Sequence, residues 1–170
     1  VTSIEGAAFS GCDSLEFITI PFVGGSKKTA SDTYQYPFGY IFGSSPYTGG
    51  VAITQRYYGS SISSTTETTY YIPASLKSVT VTGGDILYGA FFGCSSLTSV
   101  TIGNGVTSIG YDAFYNCSSA IYNIYDNAMY LGNDMNPYMA LIDTVSTSII
   151  NCNIHANTKI IGDCAFQYCS

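Results

Sequence analysis

Six cysteines, one histidine and eleven acidic side chains are the residues of this 170-residue sequence best suited to chemistry. Cys12, Cys94, Cys117 and Cys169 each close the same short motif, Ala-Phe-x-x-Cys. Side chains in one repeated slot point the same way, about 4.8 Å apart from strand to strand, whereas a disulfide needs its Cβ vectors to converge. These four are therefore expected as buried free thiols, small hydrophobes in effect. An even number of cysteines in an exported chain also suits a disulfide framework, and the redox state of Cys152 and Cys164, outside the slot, stays open. There is no C-x-x-C and only one His, so no structural zinc site is expected. His155 has the chemistry of a general base, but no serine sits in a nucleophile elbow, and it reads as a surface residue at the lip of a repeat. Asp126, Asp134 and Asp163 fall at turn signals, where such residues usually serve the turn itself. A hydrolase would need two carboxyls roughly 5–9.5 Å apart across a cleft, and no spacing selects such a pair. Asp126-Asn127 and Asn133-Asp134 lack the ligand cadence of a calcium loop. No catalytic residue, metal or cofactor is expected. Asn116-Cys117-Ser118 is formally a glycosylation sequon, discounted because it sits in the buried Cys slot.

Binding chemistry is more plentiful. Sixteen tyrosines and nine phenylalanines argue against disorder. Tyr57, Tyr58, Tyr70 and Tyr71 are candidate contact residues, since tyrosine joins area and a hydroxyl at low entropy cost. The alternative is that they form a small core of their own. Charged residues are only 9% of the chain, against about 25% in ordinary domains, so Ser, Thr, Asn and Tyr must solvate the surface. The net charge is −6, and the five basic residues, Lys27, Lys28, Arg56, Lys77 and Lys159, are scattered. Nucleic acid and anionic membranes need a basic stripe and are not expected as partners. No apolar run approaches the roughly 20 residues of a membrane-spanning helix. The sequence starts without Met or a signal-peptide pattern and both opens and closes inside a repeat, which is expected of a piece of a longer protein whose exposed repeat ends could self-associate.

The elements that must position these residues are repeats. Residues 1–12, 85–94, 106–117 and 158–169 align without gaps, with Ile4, Ile86, Ile109 and Ile161 four residues before the Ala of each Ala-Phe pair. Two copies continue into Leu-x-x-Ile/Val-x-Ile, through Leu15, Ile18, Ile20 and Leu97, Val100, Ile102. A third strand, Leu76, Val79, Val81, has Pro73 where the Cys should stand. The tight spacing, Ala90 to Ala113, is 23 residues, inside the 20–29 window of leucine-rich repeats. One such unit cannot bury its apolar side alone; stacked units form a parallel ladder over a shared core. If Val79, Val81, Val100 and Ile102 point inward, then Ser78, Thr80, Thr82, Ser99 and Thr101 form a neutral, hydroxyl-rich outer strip. Of these, Ser78, Thr80, Ser99 and Thr101 join the four tyrosines as binding candidates.

The cadence Ala-Phe-x-x-Cys-x-x-Leu-x-x-Ile-x-Ile, preceded by Val-Thr-Ser-Ile-Gly, resembles the BspA-like leucine-rich repeats of bacterial surface proteins. That resemblance implies a β-rich α/β fold: a right-handed solenoid with short helical turns, exposed outside the cell or on its surface, working in adhesion or host contact. Two insertions interrupt the single unit 1–170, at about 22–72 and 118–157. In the first, Tyr36, Phe38, Tyr40 and Phe42 alternate with Pro37, Gly39, Ile41 and Gly43, which predicts a strand. Residues 47–50 predict a turn, 51–58 the return strand, and 59–69 a polar loop. In the second, Ala120 replaces the repeat's Leu; a hairpin is expected around Asp126-Asn127, a second turn at 133–137, a third strand at 138–143, and re-entry at 148–154. The functional expectation is a non-enzymatic binding module for host or matrix proteins or glycans. A structural spacer is the alternative, and a carbohydrate-active enzyme the third.

Overall fold

The computed structural model describes residues 1–27, 34–58, 64–117 and 122–169. Lys28, Ser118 of the sequon, Ala120 and the head of the Ser/Thr-rich stretch, 59–63, lie outside these residues. The described chain is β-rich. Its strands are β1 (Phe17–Ile20), β2 (Gly50–Tyr58), β3 (Thr65–Pro73), β4 (Ser78–Ile86), β5 (Ser99–Ile109), β6 (Asn123–Tyr125), β7 (Ala128–Asn133), β8 (Asn136–Thr144) and β9 (Ile160–Ile161). The one helix among the described residues is a four-residue 3-10 helix, Phe38–Ile41.

The main sheet runs β1-β4-β5-β7-β8-β9, with β6 on β7; β2 and β3 form a separate antiparallel pair. The three repeat strands lie parallel and in register: Ile18, Val79 and Val100 align, as do Ile20, Val81 and Ile102. All six are buried. Period-two alternation thus delivers one apolar face to the core, as the cadence requires.

The expected helical turns are not helical. In 5–12, 87–94, 110–117 and 162–169 the backbone makes successive three-residue closures, such as Ala8 N–H to Glu5 O and Cys12 N–H to Phe9 O. The residue before each Ala has positive φ: Ala7 61°, Gly89 62°, Asp112 54°, Cys164 59°. So does the residue before each Cys: Gly11, Gly93, Asn116 and Tyr168. Two left-handed residues in every turn prevent a continuous helix and suit linked β-turns instead.

Successive layers are tied at these turns as well as at the strands. Ala7 and Phe9 donate to Tyr40 O and Ile41 O, Phe38 donates to Ala90 O, and Gly89, Phe91 and Gly93 donate to Tyr111 O, Ala113 O and Tyr115 O. Through the second turn, each layer donates forward to the next. The phenylalanines follow the same path, with Phe9–Phe42 at 6.1 Å, Phe42–Phe38 at 5.2 Å, Phe38–Phe91 at 4.8 Å and Phe91–Phe114 at 5.3 Å.

The first insertion therefore supplies a missing layer. The strand predicted at 36–43 is a 3-10 turn, because Phe38 and Phe42 satisfy a four-residue spacing as well as a two-residue one, and burying both rings wins. Gly39 is obligatory there, since a Cβ would fall 2.4 Å from Tyr70 Cβ. The return strand β2 pairs instead with β3, whose first half, from Thr65, occupies part of the predicted polar loop. The turn at 47–50 is present, closed by Gly50 N–H to Tyr47 O with Gly49 at positive φ.

In the second insertion β6 and β7 form the expected hairpin across Asp126, itself at positive φ, and β8 is the third strand. Residues 148–154 do not re-enter as a strand. They are pinned by side chains: Asn153 N–H donates to Asp126 Oδ2, and Asn127 Nδ2 donates to Asn151 O at 2.9 Å.

Candidate functional site

The outer strip stands where alternation puts it. Ser78 faces Ser99, and Thr80 faces Thr101, across β4 and β5. Ser99 is exposed, and Ser78, Thr80 and Thr101 are half-buried. The strip starts on β1 at an exposed ring, Phe17, in register with Ser78.

The four candidate tyrosines separate. Tyr70 is 2% exposed, and its hydroxyl donates to Tyr34 O at 2.5 Å. It belongs to the core against Gly39 and offers no contact surface, which corrects its place among the binding candidates. Tyr57, Tyr58 and Tyr71 are half-buried. Tyr58 heads a stack that runs from the hairpin onto the repeats: its ring lies 4.3 Å from Tyr88 at 10°, and Tyr88 lies 6.1 Å from Tyr111 at 22°. Beside it Arg56 sits 4.5 Å over the Phe92 ring and pairs with Glu67 at 2.9 Å, while Phe92 stacks on Tyr115 at 5.1 Å. Tyr88 and Tyr111 share one repeat slot and Phe92 and Tyr115 another. That repetition is the sequence signal for both stacks.

The turn ladder ends at the third turn. By repetition, Asp112, Phe114 and Asn116 should donate forward to the fourth turn, yet among the described residues their N–H groups have no carbonyl partner. The second insertion explains this. β7 meets β5 through one residue pair, Thr101 and Gly132, and β9 pairs with β8 instead of β5. Gly162 N–H donates to Leu141 O on β8, and Asp163 N–H, one residue out of step, reaches Ile109 O. The fourth turn thus rides on the inserted hairpin. Phe166 stands 37% exposed and leaves the row that holds Phe9, Phe91 and Phe114.

The resulting gap is a cleft of about 250 Å³. Tyr111, Asp112 and Phe114 form one wall, Asp163, Gln167 and Tyr168 the other, and Tyr122, Ile142 and Asp143 of the hairpin segment close the back. A second groove, lined by Tyr58, Tyr88 and Ser108, adjoins it and shares Tyr111 and Asp163 with it. Burial raises the Asp112 carboxyl above its ordinary value, Arg56 opposes this, and Asp143 adds to it. Burial likewise raises Asp143, against the Thr144 N–H that favours its charged form. Neither aspartate stood out in the sequence, because they are 31 residues apart in the chain.

The other reactive groups are occupied structurally. All six cysteines are free, but of the four expected to be buried only Cys94 is; Cys12 and Cys169, in the first and fourth turns, and Cys117, where the ladder ends, are half-buried. Cys94 is buried, and burial pushes the Cys117 thiol up to about 12, so both are protonated and inert. His155 stacks on Tyr138 at 4.2 Å, and its Nδ1 accepts from Asn157 N–H at 3.1 Å. Among the described residues no group of three or more His, Cys, Asp or Glu is arranged to hold a metal ion, and no helix is long and apolar enough to cross a membrane. Gln55, which nothing in the sequence singled out, is wholly buried. It accepts from Gly39 N–H at 2.6 Å and donates to Ala90 O at 3.0 Å and Phe92 O at 3.4 Å. It bridges the inserted layer to the second turn where a regular coil would use its own backbone.

A family model described as a BspA type leucine rich repeat region matches residues 1–31 and 63–146, in six copies. It passes over most of the first insertion and runs through β7 and β8. No curated protein and no solved structure matches the chain.

Proposed function

We propose, from the premise that this chain belongs to the BspA-type leucine-rich repeat family, that it is a non-enzymatic cell-surface binding module. Proteins of the family are often surface proteins involved in binding, and its repeats are generally non-enzymatic. On this reading the coils wind as a right-handed solenoid that forms one domain, 1–170, outside the cell, and host or matrix proteins or glycans are its partners. The supporting observation is the pair of half-buried rings Tyr58 and Tyr111, held at either end of a stack on the buried Tyr88 along an open groove, placed to offer area and hydroxyls at low entropy cost. The outer strip Ser78, Thr80, Ser99, Thr101 adds hydrogen-bonding groups with little charge. The test is a screen of the purified chain against immobilised matrix proteins and a glycan array. Saturable binding lost on Tyr58→Ala supports the reading, and a blank screen favours a structural spacer. The raised carboxyls of Asp112 and Asp143 in one cleft support a second reading, a carbohydrate-active enzyme. Chromogenic glycosides decide it: aglycone release abolished by Asp112→Asn or Asp143→Asn would establish hydrolysis, and no release removes it.

A further inference from the structure

We propose that the cleft between the third and fourth turns binds a neutral glycan, with a sugar ring seated where the fourth turn would otherwise complete the ladder. The inference rests on the binding-module reading and names its ligand class. Three features of the cleft select that chemistry. Its walls carry tyrosine rings, Tyr111, Tyr122 and Tyr168, flat apolar faces against which the C–H face of a pyranose packs. Its acceptors are the carboxylates of Asp112, Asp143 and Asp163, which take two hydroxyl protons each. Its donors are the Gln167 amide and the backbone N–H groups of Asp112 and Phe114, which the displaced fourth turn leaves without carbonyl partners among the described residues.

Donors and acceptors side by side match a hydroxyl, which is both. A cationic ligand would use the acceptors and leave the N–H groups without a partner in the complex. No Lys, Arg or His lines the cleft, so sialylated, sulfated and uronic sugars are disfavoured. The adjoining groove past Tyr58 shares Tyr111 and Asp163 with the cleft and offers a further sugar unit the half-buried Tyr58 ring, so oligosaccharides bind more tightly than monosaccharides.

The test is an amide-resolved NMR titration of the whole chain with methyl α-glucoside, methyl β-galactoside, N-acetylglucosamine and cellotetraose, with Nα-acetyl-lysine amide alongside. The expected result is that at least one sugar moves the Asp112 and Phe114 amides together and saturably. Gln167→Ala and Asp163→Asn, both at exposed side chains, then weaken that sugar about tenfold each, the loss of one hydrogen bond, with an unchanged circular dichroism spectrum. The proposal is overturned if no sugar moves those amides, or if the lysine derivative does and the sugars do not. Array or matrix binding that survives both substitutions preserves the binding-module reading and overturns this cleft as its site.

Discussion

Gln55 illustrates how much rests on a residue with no motif around it. Its amide satisfies Gly39 N–H and two carbonyls of the second turn in a fully buried position. Gln55→Leu keeps the volume and orphans Gly39 N–H and Phe92 O, while Ala90 O keeps Phe38 N–H, so it should destabilise the chain by about 1–3 kcal/mol, measurable by urea denaturation. Sequence showed only a polar residue on the inward side of an alternating strand; its partners, Gly39, Ala90 and Phe92, come from two other segments. Asp112 carries two costs, a left-handed backbone and a carboxyl that burial holds above its ordinary value. A raised folded-state pKa means the folded chain holds its proton longer than the unfolded chain, so stability falls as pH climbs through the carboxylate range, above about 4. Asp112→Asn removes that loss and tolerates the left-handed backbone. The variant should melt above the wild type at neutral pH, and its advantage should shrink in acid; an equal advantage at both pH values would place the effect in the backbone alone.

At the scale of the element, the repeat turn explains both the success and the failure of the pattern. In the second and third turns Ala90, Phe91, Ala113 and Phe114 are buried as the spacing requires, whereas Ala8 and Phe166 in the outer turns are exposed. The helix expected there failed because two positions per turn are left-handed, and one of them is filled by Ala7, Asp112 or Cys164 in three of the four copies, not by a telltale glycine. The 36–43 segment failed for a different reason: rings at 38 and 42 fit either period, and only the vacancy between the first and second turns selects the 3-10 form. Packing gives the turns unequal weight. Phe114, stacked on Phe91 and 4% exposed, should cost about 3–5 kcal/mol when truncated to Ala. Phe166→Ala, in the same slot of a turn that leaves the row, should cost under about 1 kcal/mol. Equal shifts in melting temperature for the two would contradict the displaced fourth turn.

The whole molecule is a stack tied along two lines, strands on one side and turns on the other, with the second insertion opening the turn side. Amide exchange tests this directly. Gly89, Phe91 and Gly93, which donate across the stack, should exchange slowly, and Asp112, Phe114 and Asn116 faster, by on the order of tenfold or more. The sequence by itself determined the parallel repeat strands, their inward and outward faces, and the family, because each follows from residue spacing within one unit and its identity in the next. The tertiary structure alone decided which layer the first insertion fills, that Tyr70 lies in the core, and that the hairpin holds the fourth turn off the third. Those outcomes depend on how segments far apart in the chain compete for the same space, and no period in the sequence encodes that competition.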